Sequence, residues 1–90
     1  MFKWWNLYFV QEASTGNIKI GIARNLKQRL YELQTDNSNK LNLLGSARFS
    51  SEVAVRKTEK RLHATFATQR VRGEWFKTSE SLTLIACSAC

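Results

Sequence analysis

Proline is absent from the 90 residues, so no proline kink or rigid proline turn marks a boundary. Element ends must be read from Gly, Asn and Ser alone. Cysteine is scarce: Cys87 and Cys90 stand at the C-terminal end in C-x-x-C spacing. That spacing could supply half a zinc site or a redox pair. With His63 as the single histidine and no second Cys pair, a zinc site within one chain lacks ligands. Tail thiols are the expected reading, and nothing requires an oxidising compartment. Acidic side chains are few and scattered: Glu12, Glu32, Asp36, Glu52, Glu59, Glu74 and Glu80. A two-metal centre needs several carboxylates gathered together, and no D-x-D or E-x-K pattern appears. A one-metal site built on a single carboxylate is still open. No apolar run reaches the ~18 residues of a membrane span. The start, Met1-Phe2-Lys3-Trp4-Trp5, is too short and soon too polar for a signal peptide. A cytoplasmic protein with no membrane partner is expected.

What is present is positive charge on a globular scaffold. Lys plus Arg number 14 against seven acids, and 43% of residues are hydrophobic. The hydrophobic share argues against disorder, and the length suits one small domain with a thin core. Such a basic excess points to a polyanion, most often nucleic acid. The plain alternative is a solvated basic surface.

Leu7 to Val10 is a β-prone apolar run. Ser14-Thr15-Gly16-Asn17 is a turn cluster, and Ile18 to Ile22 alternates, which together predict a β-hairpin. Asn25 is a candidate N-cap. Leu26, Leu30 and Leu33 then fall on one helical face, with Lys27 and Arg29 elsewhere on that helix. Leu41 to about Phe49 reads as a third strand. Ser50 or Ser51 caps a second helix, with Glu52 in its first turn and Val55, Leu62 and Phe66 on one stripe. Arg72-Gly73 breaks the pattern. A short extended piece follows at Glu74–Lys77, and then a helical turn over Leu82–Ala86, capped by Ser79 or Ser81. The expected fold is α+β: a small, three-stranded, mostly antiparallel sheet flanked by helices in β-β-α-β-α order. Residues 5–80 form the domain, and 81–90 a helical turn and tail.

Two segments carry chemistry-bearing residues in a suggestive order. Tyr8 stands in the first strand, and Lys19, eleven positions on, in Ile18-Lys19-Ile20-Gly21-Ile22. Arg29 follows on the first helix. Thr58-Glu59-Lys60-Arg61-Leu62-His63-Ala64-Thr65-Phe66 lies on the second helix, ahead of Arg70-Val71-Arg72-Gly73-Glu74-Trp75-Phe76. This order resembles the GIY-YIG nuclease superfamily, and the last two segments resemble its compact phage- and bacterium-associated branch. The resemblance spans about residues 7–80. Lys19 stands where the superfamily has its second tyrosine, and the compact branch often reads K-I-G there.

The resemblance implies a divalent-metal-dependent endonuclease or nicking activity on DNA, with RNA left open. Glu59 would hold one Mg²⁺ or Mn²⁺ ion. Arg29 would stabilise charge on the phosphoryl group, and Tyr8 would accept a proton from the attacking water or orient it. Lys19 and His63 would assist at the phosphate or in proton transfer. A lysine of ordinary pKa, near ~10.4, is a poor base at neutral pH, so Lys19 suits phosphate binding or water orientation. Arg24, Lys27, Lys60, Arg61, Arg70 and Arg72 would track the nucleic-acid backbone. One site cuts one strand, so a monomer or weak homodimer is expected.

Each residue has a structural alternative. Tyr8 can be a strand aromatic, Arg29 an exposed helix charge, and Glu59 a surface partner of Lys60 or His63. His63 can be a packed helix histidine, and Trp75 and Phe76 core residues. The rival functional readings are a catalytically silent nucleic-acid-binding module and a protein-interaction subunit using Trp4, Trp5, Trp75 and Phe76.

Overall fold

The computed structural model describes residues 2–88. Strand β1 (Trp5–Glu12) and β2 (Ile18–Ala23) form the expected hairpin, pairing antiparallel from Asn6↔Ala23 to Gln11↔Ile18. Gly16 sits in the turn at φ +79°, a region that disfavours a side chain. Helix α1 (Leu26–Thr35) starts at Asn25, whose side chain accepts from the Gln28 N–H. Strand β3 (Leu41–Phe49) returns antiparallel along the other edge of β1. Helix α2 (Glu52–Thr65) is capped by Ser51, which accepts from the Ala54 N–H.

The sheet departs from expectation at its far end. It has five strands rather than three, in the order β3-β1-β2-β5-β4, and every pairing is antiparallel. The added strands are β4 (Arg70–Arg72) and β5 (Trp75–Phe76). They form a small hairpin about Gly73, which has φ +49°. Three residues flanked by arginines and a two-residue strand carry no readable period, so the alternation that reveals longer strands is missing here. Helix α3 (Glu80–Ser88) is also longer than the single turn expected. Ser79 caps it, its Oγ accepting from the Leu82 N–H at 3.2 Å. Leu82 and Ala86 are fully buried in the main core, so α3 is part of the packing. Cys87 is exposed on α3, and Cys90, the other half of C-x-x-C, lies outside the described residues.

The sheet is covered on both faces, which explains why Leu7, Tyr8, Phe9 and Val10 are all buried. Alternate side chains of a strand point to opposite faces. Leu7 and Phe9 join Ile18, Ile20, Val55, Phe66, Phe76 and Leu82 on the α2–α3 side. Tyr8 and Val10 pack under Leu26, Leu30 and Leu33 of α1. No helix among the described residues is long and apolar enough to cross a membrane.

Candidate active site

The site forms where β2 loses its partner. Strand β5 pairs only with Ile18 and Lys19. Beyond that point the outer edge of β2 is open, and its backbone groups are met by other elements. The Ile20 N–H donates to the Glu74 carbonyl at 3.0 Å. The Ile20 carbonyl, on the same side of the strand, accepts from His63 Nε2 at 3.0 Å. A carbonyl can only accept, so His63 donates from Nε2, and Nδ1 is the ring nitrogen left for another partner. The ring also packs at 5.1 Å from the Phe76 ring, centroid to centroid, and at 56° to it. These two contacts fix the imidazole at the sheet edge.

Glu59 lies one turn earlier on α2, on the same face as His63. Glu74 comes from the β4–β5 turn. One potential ligand atom from each of Glu59, His63 and Glu74 lies within 4.8 Å of the others, and all three residues are half-buried. Burial pushes the Glu59 carboxyl above the ordinary carboxylate range. The neighbouring Glu74 charge adds to this, His63 opposes it, and a hydrogen bond shared with Glu74 raises it further. Two carboxylates can share a hydrogen bond only with a proton between them, and a cation can take that place. Glu59 Oε2 is buried with no hydrogen-bond partner. An unpartnered buried oxygen, a second carboxylate and an imidazole together fit a divalent cation. Ligation by His63 would run through Nδ1.

Lys19 Nζ pairs with Glu74 Oε1 at 2.9 Å and lies 5.7 Å from the Trp75 ring centre. Its ammonium therefore already balances one of the two carboxylates. On the α1 side of the sheet, Tyr8 stands directly opposite Gly21 in the β1–β2 register. A Cβ built on Gly21 would come 2.6 Å from Tyr8 Cζ and would overlap the hydroxyl as well. Gly21 is thus what lets the Tyr8 ring cross β2. The phenol is raised from 10.0 to about 12, first by burial and then by the Glu74 charge. Arg29 pulls it down and Glu59 pushes it up. The Tyr8 phenol therefore feels the charges of Arg29, Glu59 and Glu74, which come from two helices and a turn.

Of the expected residues, Glu59 and His63 stand together with Glu74, and Lys19 reaches them through Glu74, while Tyr8 is linked to them by charge and Arg29 lies in the cleft beside Arg56. Of the expected backbone-tracking cations, Lys60 and Arg70 line a cavity of about 570 Å³ with Glu59, His63 and Arg56. Arg24 lies at a second cleft, with Arg29 and Arg56. Lys27 lines a separate hollow on α1 with Gln28 and Tyr31, and Arg61 is exposed on α2. Arg72 is exposed on β4, and its charge adds slightly to the lowering of the Glu12 carboxyl, which is held low mainly by the Thr15 hydroxyl. Sequence reasoning missed Glu74 and Arg56. Glu74 had one signal, its place beside a turn glycine in Gly73-Glu74-Trp75-Phe76. Arg56 had none, because a helix arginine four residues after Glu52 looks like an ordinary surface pair.

No curated protein matches the chain, and no solved structure does. The model of the T5orf172 domain matches residues 6–88, from the start of β1 to the end of α3. That domain is phage-associated and related to nuclease-like folds. A match over nearly the whole chain leaves little outside it: this protein belongs to the T5orf172 domain family.

Proposed function

We propose that the protein is a divalent-metal-dependent endonuclease of GIY-YIG type that hydrolyses or nicks the phosphodiester backbone of DNA. The observation that carries this reading is the trio of Glu59, His63 and Glu74, with an unpartnered Glu59 oxygen, inside a basic surround. One Mg²⁺ or Mn²⁺ ion bound there supplies charge neutralisation at the scissile phosphate and at the leaving oxygen.

The remaining work falls to the chain. Arg29 offers a planar, permanently charged guanidinium, suited to a phosphoryl group gaining charge. The Tyr8 hydroxyl keeps its proton at neutral pH and orients the attacking water. Lys19 holds Glu74 in place and balances its charge. His63 is pinned at the site by its hydrogen bond to the Ile20 carbonyl. Lys60 and Arg70 hold the flanking strand by charge, without reading its sequence.

One observation favours a second reading, a silent nucleic-acid-binding module. The Lys19 ammonium at 2.9 Å from Glu74 gives this pair of acids a cation of the protein's own. A plasmid nicking assay separates the two. With Mg²⁺ or Mn²⁺ the parent converts supercoiled to open-circular DNA, Glu59→Ala does not, and Arg29→Ala is at least ~100-fold slower. Equal cleavage by all three sinks the site assignment. No cleavage by any of them, with binding intact, leaves the silent module.

A further inference from the structure

Three arginines from three different parts of the fold converge beside the catalytic trio, and only Arg29 has a part in the chemistry above. Arg24 follows β2, Arg29 lies in the first turns of α1, and Arg56 lies on α2 one turn before Lys60. Together with Trp5, Ile22 and Asn25 they line a cleft of about 400 Å³. Both the Arg24 and Arg56 guanidiniums lie over the Trp5 ring, 5.1 and 5.6 Å from its centre. Each has a further anchor: Arg24 donates to the Phe2 carbonyl, and Arg56 Nε pairs with Glu52 Oε2 at 2.8 Å. An arginine already held by an aromatic ring and a fixed acceptor loses less freedom on meeting a ligand.

We infer that this cleft is a phosphate subsite: Arg24 and Arg56, set on Trp5, grip a phosphodiester of the same strand next to the one being cut. The inference rests on the nucleic-acid reading proposed above, extends it to Arg56, and gives Arg24, expected to track the backbone, one place on the strand. Charge complementarity selects the occupant. Three cations face two acids, Glu32 at 3.9 Å from Arg29 and Glu52 at 2.8 Å from Arg56, so the cleft keeps a positive excess. A divalent cation would be repelled, and an apolar ligand would leave that excess unanswered. The indole ring is already occupied by guanidiniums, so the cleft takes a phosphate rather than a stacked base. Continuity points the same way. Arg56 is a common wall, lining this cleft and also the cavity that holds Glu59, His63 and Lys60. A strand whose scissile phosphate sits at Glu59 would bring its neighbouring phosphate past Arg56.

The test is the salt dependence of binding, read by fluorescence anisotropy with a labelled single-stranded oligonucleotide in EDTA, where nothing is cut. Each phosphate contact contributes about 0.7 to the slope of log affinity against log salt. Arg24→Gln and Arg56→Gln should each lower the slope by roughly that amount and weaken binding by about three- to tenfold at moderate salt. Arg56→Lys should restore the slope. Lys40→Gln, an exposed cation outside both cavities, should leave it unchanged. Thermal midpoints of the variants matching the parent would show that they fold. A slope unaltered in both cleft variants, an equal fall in Lys40→Gln, or no binding by the parent overturns the subsite. The two proposals fail separately. Cleavage with unaltered slopes removes the subsite and keeps the nuclease. Altered slopes without any cleavage keep the subsite and remove the nuclease.

Discussion

The two halves of the sheet are built on opposite plans. From β3 through β1 to β2 the strands are long, and β1 pairs with β3 from Trp5 to Glu12 and with β2 from Asn6 to Gln11. From β2 through β5 to β4 the pairing covers two residues at each step. The long half carries the core, with Phe9 and Val10 fully buried. The short half leaves the β2 edge open at Ile20, and there the chemistry gathers. A complete ladder would use up the Ile20 carbonyl and would occupy the space that His63, Glu59 and Glu74 share. An interrupted ladder supplies a fixed acceptor for an imidazole and a partly dry gap for two carboxylates.

This contrast can be broken from either side. The largest effect is expected in the long half: Phe9→Ala should cost about 3–5 kcal/mol. For a domain of this size that is enough to abolish a cooperative melt near room temperature, as followed by circular dichroism. Next comes Gly21→Ala, on the boundary between the halves. Its Cβ collides with the Tyr8 ring, so a loss of about 1–3 kcal/mol is expected together with a strong fall in nicking. A melt and a rate like the parent's would mean that Tyr8 does not cross the strand there.

Smaller effects belong to the short half. Mn²⁺ at ten times its Kd should stabilise the parent by about 1.4 kcal/mol, or ~6–10 °C in melting temperature. Glu59→Ala should lose that response. The pH dependence has a definite sign. The Glu59 carboxyl is raised in the folded chain, so the folded state holds its proton more tightly than the unfolded one. Without metal, stability should therefore fall as pH rises from the ordinary carboxylate range into the raised one. Glu59→Gln should flatten that fall and melt higher than the parent at neutral pH in EDTA. Tyr8 should give the smallest change, confined to alkaline conditions. With its pKa at about 12 against 10.0, stability should decline from pH ~10 upward. Absorbance of the phenolate should rise late in the parent and reflect only Tyr31 in Tyr8→Phe.

The same division decides what could be read in advance. The long half announces itself. The Leu7–Val10 run, the Ser14–Asn17 turn, the Asn25 and Ser51 caps and the Leu26, Leu30 and Leu33 stripe each stand where the chain alone puts them. Tyr8, Lys19, Arg29, Glu59 and His63 were picked out as candidates by their order along the chain. The short half was not. Arg70–Arg72 has one apolar residue between two charges, and Trp75–Phe76 is too brief for alternation. Strand β4 therefore went unseen, and the extended piece at Glu74–Lys77 was not joined to the sheet, so the reason Glu74 reaches Glu59 was missing. A carboxylate beside a turn glycine gains meaning only once the hairpin swings it against α2. Arg56 was hidden differently: its pairing with Glu52 is local, but its stacking on Trp5 depends on tertiary packing.

The most direct test of a cation site at the open edge is calorimetric titration of Mn²⁺ into the parent, Glu59→Gln and Glu74→Gln. The account predicts one site in the parent, lost in Glu59→Gln and weakened at least ~10-fold in Glu74→Gln. Equal binding by all three proteins, or no binding by the parent, would contradict it.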